Sequence, residues 1–93
     1  MAKSKSRPVI VTTEYKGVFF GYAEDTSGDT IKLTKARCCI YWPASQKGFM
    51  GLASDGPLTD AKIGPPADIE LRKITSVIEV TDEAVERWEK AKW

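Results

Sequence analysis

Lys35, Arg37, Tyr41 and Trp42 lie within one short stretch of the chain. Cations interleaved with aromatic rings are the residue types that grip a phosphate and stack on a base. Side chains alternate along an extended strand, so Arg37 and Tyr41 are expected on one face and Trp42 on the other. One aromatic then belongs to the core and the other to the surface. The competing arrangement buries Trp42 and lays the stem of Arg37 over it, which leaves no ligand site.

Phe49 and Met50, with Leu52, form a second candidate in the segment from Gln46 to Asp60. Shown on a loop, they make an adhesive patch for a protein partner, because aromatic and methionine side chains are favoured at interfaces. Folded back, they cap an open end of the domain instead. The densest carboxylates, Glu24, Asp25 and Asp29, surround Ser27 and Gly28 without the ligand spacing of an EF-hand, and read as a solvated turn. No metal site is expected.

The chain has no histidine, which removes Ser-His and Cys-His nucleophile activation and any histidine-ligated metal. Its two cysteines, Cys38 and Cys39, are adjacent, so they form neither a spaced disulfide framework nor a C-x-x-C knuckle. Only the field of Lys35 and Arg37 could draw out a thiolate there, and reduced structural thiols on opposite faces of a strand are expected. Glycines fall mostly singly, without a phosphate-cradling loop or dinucleotide fingerprint. No catalytic residue and no cofactor is expected.

The 93 residues allow one domain with a modest core, and 42% hydrophobic content is that of a globular chain. Fourteen Lys and Arg against 13 Asp and Glu leave a formal charge of +1, so nucleic-acid binding would need a local patch. Lys3, Lys5 and Arg7 make residues 1–7 a flexible basic tail, and residues 8–93 form the domain. Apolar runs are too short for a membrane span or a signal peptide, which points to the cytoplasm.

The elements that must position these residues are mostly strands. Val9 to Tyr15 is rich in β-branched residues after Pro8, and Val18 to Ala23 follows a Lys16-Gly17 turn. Gly21 inside that strand predicts a bulge or sharp bend. Glu24 to Asp29 reads as a loop, Thr30 to Thr34 and Ala36 to Trp42 as strands, and Pro43 as their end. A weak helical turn is expected from Gln46 to Ala53, then strands from Asp68 to Ile74 and Val77 to Val80. Thr81 predicts the N-cap of a helix over 82–92, with Ala84, Val85, Trp88 and Ala91 as its apolar stripe. Together these give an α+β fold: a bent antiparallel sheet or small open β-barrel of five to six strands with one C-terminal amphipathic helix.

Leu33-Thr34-Lys35-Ala36-Arg37 followed by Tyr41-Trp42 resembles a group of short phage and prophage proteins of unknown function, in which an L-x-x-A-R run leads into Y-W. The likeness covers most of Val9 to Val80, and departs from the group at Cys38-Cys39 and Pro43. It implies a phage accessory protein in the cytoplasm of the bacterial host, without enzymatic activity. A fold-level analogy to small Sm-like or SH3-like barrels suggests ring assembly or nucleic-acid contact. The leading expectation is a non-enzymatic binding protein that sequesters or inhibits a host protein, with defence proteins among the targets. The alternatives are a nucleotide or nucleic-acid binding oligomer and a minor virion component. A homo-oligomer is expected because open sheet edges and the helix stripe need cover.

Overall fold

Six strands and two helices follow one another as β1 (Arg7–Thr13), β2 (Val18–Ala23), β3 (Thr30–Tyr41), α1 (Gly48–Ser54), β4 (Lys62–Ile63), β5 (Ala67–Arg72), β6 (Ile74–Glu79) and α2 (Asp82–Lys90). The computed structural model describes residues 6–14, 17–42, 46, 48–58 and 61–91, with the side chain of Phe49 outside that set. Lys3, Lys5, Tyr15, Lys16, Pro43, Lys92 and Trp93 therefore lie outside the described residues. Arg7, read from sequence as the last residue of the tail, pairs with Ala23 in β1 and bonds Glu79 at 2.9 Å.

All pairings are antiparallel, in the order β4-β3-β2-β1-β6, with β5 alongside the first half of β3. The sheet is not closed into a barrel. A single residue, Lys73, joins β5 to β6 in the left-handed region (φ 58°). One residue is too short for a hairpin turn, so the two strands cannot lie side by side. They diverge to opposite edges, β5 onto β3 and β6 onto β1.

The β-branched run of β1 has both faces covered. Val9 and Val11 join a strand-only core with Ala23, Ile31, Leu33, Ala36 and Leu71. Ile10 faces the other way, into a core with Val18, Phe20, Leu52, Ile63, Ala84 and Trp88 that both helices cover. A strand buried on two sides loses the polar alternation of a surface strand and reads as a continuous apolar run.

Residue types predict a break in the third strand at Lys35. The observed β3 continues through it, because Lys35 takes a left-handed conformation (φ 53°) and absorbs a bulge against both neighbours. Opposite it, Gly21 leaves room for close approach: a Cβ there would meet Leu33 Cβ at 2.9 Å.

The helices are tied to each other at Thr81. Its hydroxyl donates to the Ser54 carbonyl at 2.7 Å and accepts from the Ala84 amide at 3.1 Å, so the N-cap of α2 also terminates α1. Gly56, at φ 80°, closes α1 by donating to the Leu52 carbonyl at 3.1 Å. The α2 stripe docks on the chain's own sheet, with Ala84 and Trp88 fully buried and Val85 and Ala91 packed beside them. No helix among the described residues is long and apolar enough to cross a membrane.

Candidate functional site

The sequence-predicted residues separate into three places. Arg37 turns inward under α2, Lys35 stands at the rim of the same hollow, and Tyr41 projects from the end of β3. Trp42 packs against the helix-covered core, the core that also holds Cys39. This corrects the expected face assignment: the pairing of β3 with β4 shifts register between Cys39 and Tyr41, so strict alternation ends before Trp42. Met50 is 59% exposed on α1, while nothing is described of the Phe49 side chain.

Arg37 is only 8% exposed. Its Nε donates to the Gly64 carbonyl and its Nη1 to the Trp88 carbonyl, both at 2.8 Å. The Trp88 carbonyl belongs to the last turn of α2, where unpaired carbonyls gather the negative end of the helix dipole. A cation there adds a second bond to a carbonyl that also accepts the Ala91 amide at 3.4 Å, and pins the helix to the turn after β4. Burial lowers the Arg37 pKa without neutralising a guanidinium. The expectation of a solvent-facing Arg37 beside Tyr41 is therefore replaced by an internal clamp.

The hollow beside Arg37 measures about 510 Å³ and is lined by Phe20, Tyr22, Lys35, Arg37, Pro66, Glu89 and Ala91. Its aromatic wall is rigid. Phe20 stacks on Trp88 with centroids 5.0 Å apart and meets Tyr22 edge-on at 5.5 Å. The Tyr22 hydroxyl donates to the Glu89 carboxylate. Partial burial, and then that carboxylate, push the Tyr22 pKa up to about 12. The left-handed Lys35 is held by Asp68, whose Oδ1 accepts its amide at 3.0 Å.

Tyr22 and Glu89 were not among the sequence-predicted residues. They stand 67 positions apart, and no local spacing announces the pair. Gln46 was missed as well: buried, it donates to the Gly56 carbonyl at 2.7 Å and accepts from the Leu58 amide at 2.8 Å. A lone polar residue in a loop gives no signal that it will hold that loop together.

A second surface lies at the far end of β3. Pairing of β3 with β2 runs to Cys38, opposite Phe19, and beyond it β4 alone supports the strand among the described residues. Ile40 and Tyr41 in this overhang are 56% and 53% exposed. Burial pushes the Cys39 thiol pKa up to about 11, with Cys38 adding to the effect, and burial raises Cys38 too. In the acidic turn, Asp25 accepts from the Ser27 amide at 2.9 Å and hydroxyl at 2.7 Å, bonds that lower its pKa.

An open antiparallel sheet backed by two short helices, with an overhanging apolar strand end and a cationic hollow, defines a small α+β module. The chain belongs to a family described as a domain of unknown function, DUF6948, whose model matches residues 6–88. No curated protein and no solved structure matches it.

Proposed function

We propose that this chain is a non-enzymatic phage accessory protein that works by binding a host protein and sequestering or inhibiting it, with defence proteins among the targets. The observation that carries the binding reading is the overhang of β3. Ile40 and Tyr41 stand more than half exposed there, on a strand whose β2 side is unpaired beyond Cys38 among the described residues. An extended partner segment can add backbone hydrogen bonds along such an edge while the two side chains supply apolar contact. The phage origin rests on the likeness of Leu33 to Arg37 and Tyr41-Trp42 to short phage proteins.

Self-association belongs to the same proposal. β5 pairs only with β3 and β6 only with β1 among the described residues, and these free edges are where copies would join. A nucleotide site built from Arg37 and Tyr41 together gains no support, since Arg37 lies buried under α2 and Tyr41 is exposed at the far end of β3.

A photo-crosslinking residue at position 41, compared with one at position 70 on β5, tests the reading in bacterial cells making the protein. The expected result is a defined host-protein adduct from position 41 alone. Once that host protein is purified, Tyr41→Ser should weaken its complex at least ~10-fold, equivalent to ~1.4 kcal/mol. Equal affinity for the variant, or the same adducts from both positions, would reject the overhang as the binding surface.

A further inference from the structure

We propose that the hollow between β2, β3 and the last turn of α2 is a binding site for a small monocarboxylate with an apolar body, with Arg37 and Lys35 as the anion donors. It shares no residue with the Ile40–Tyr41 surface and stands or falls separately from it.

Three observations converge on this. Arg37 is 8% exposed and its guanidinium is already oriented by the Gly64 and Trp88 carbonyls. Its Nη2 has no hydrogen-bond partner among the described residues, yet it is not sealed from solvent, since no buried side-chain nitrogen or oxygen there goes unpaired. No carboxylate among the described residues comes within ion-pair distance of Arg37 or of Lys35. A guanidinium fixed by two bonds and left with free donors is organised in advance for an anion, which lowers the ordering cost of binding.

Lys35 is the second observation. Its left-handed backbone places it on a bulge, and bulges next to sites re-aim a side chain that a regular strand would direct elsewhere. Charge and volume are the third. The lining carries two cations, Lys35 and Arg37, against one carboxylate, Glu89, and a single negative charge on the ligand balances the remainder. A dianion such as a phosphate monoester would meet Glu89 and be disfavoured. The volume of about 510 Å³ falls within the range of small-molecule pockets, and Phe20, Tyr22, Pro66 and Ala91 offer apolar wall for the ligand body.

The carboxylate can come from a free small acid or from the C-terminus of a peptide, and the probes separate these. Benzoate, its neutral counterpart benzamide, N-acetylphenylalanine and inorganic phosphate would each be titrated into the intact protein. Readouts would be amide signals of Phe20, Tyr22 and Ala91 and the side-chain Nε–H of Arg37 in nitrogen-edited NMR. The expected result is saturable benzoate binding with Kd of about 1 mM or tighter, and binding of benzamide or phosphate at least ~10-fold weaker.

N-acetylphenylalanine binding tighter than benzoate identifies a peptide terminus as the source, and the reverse order a free acid. Lys35→Gln, a change confined to an exposed side chain, should weaken benzoate at least ~5-fold without moving its saturated Arg37 signal pattern. Absence of saturable benzoate shifts, benzamide binding as tightly as benzoate, or unchanged affinity in Lys35→Gln would each overturn the proposal.

Discussion

Arg37 and Tyr41 lie on the same strand with the same parity, yet one is buried under α2 and the other is exposed at the strand's end. The difference is in what flanks each residue. At Arg37, β2 lies alongside with Phe20 opposite, and α2 lies above with its Trp88 carbonyl exposed as an acceptor. At Tyr41, β2 has ended and, among the described residues, the two residues of β4 remain. A strand's face pattern thus says which side chains go together only while partners persist on both edges. Where a partner stops, burial is decided by neighbours distant in sequence.

The contrast can be broken most severely at its covered end. Trp88 is fully buried, stacks on Phe20, and donates its indole N–H to the Leu52 carbonyl at 3.1 Å. Trp88→Ala should cost about 3–5 kcal/mol in urea unfolding, a large share of the roughly 5–15 kcal/mol that holds a domain of this kind folded. Arg37→Met keeps the apolar stem but removes the charged donor from the Gly64 and Trp88 carbonyls, the second of which keeps the Ala91 amide. A loss of about 3 kcal/mol is expected, since hydrogen bonds from a charged donor are worth more than neutral ones. A loss under about 0.5 kcal/mol would mean that the clamp contributes nothing to docking α2.

A smaller effect distinguishes the hollow from the overhang by pH. Tyr22 holds its proton more tightly folded, with a pKa of about 12, than unfolded, where it is near the ordinary 10.0. Its contribution to stability is therefore fully present below about pH 10 and is lost as pH rises through the folded value. The urea midpoint should fall between about pH 10 and 12 in the native sequence, and fall less steeply in Tyr22→Phe. Parallel curves for the two proteins would remove Tyr22 as the cause.

The smallest expected effect is at the open end. Ile40→Ser and Tyr41→Ser should each change stability by no more than about 0.5 kcal/mol, because exposed side chains contribute little to the core. Their effect belongs to binding. If either variant unfolds as readily as Arg37→Met, the overhang is a packed part of the fold and the distinction between the two ends disappears.

Most strands were legible from residue chemistry. Val18 to Ala23 was read to its observed bounds, and the N-cap Thr81 and the stripe of α2 followed from types at helical spacing. Two joins were misread for the same reason. Lys35 and Lys73 are the described non-glycine residues with positive φ, and a lysine gives no sequence signal for a left-handed kink. The first was read as a break where β3 continues, and the second was placed within a strand where β5 yields to β6. Of the candidate site, Lys35 and Arg37 were recognised as chemistry-bearing residues, but their partners Tyr22 and Glu89 were not.

The sequence by itself determined the class of fold, the absence of histidine chemistry, the strands and the amphipathic terminal helix, because these depend on local propensity and on periodicity. Only the tertiary structure decided that Arg37 serves the end of α2, that Trp42 joins the core of Cys39, and that Ile40 and Tyr41 stand free. Those outcomes depend on where strands end and which distant carbonyls or rings arrive beside them. Long-range packing energies set those positions, and they are not written in the spacing of neighbouring residues.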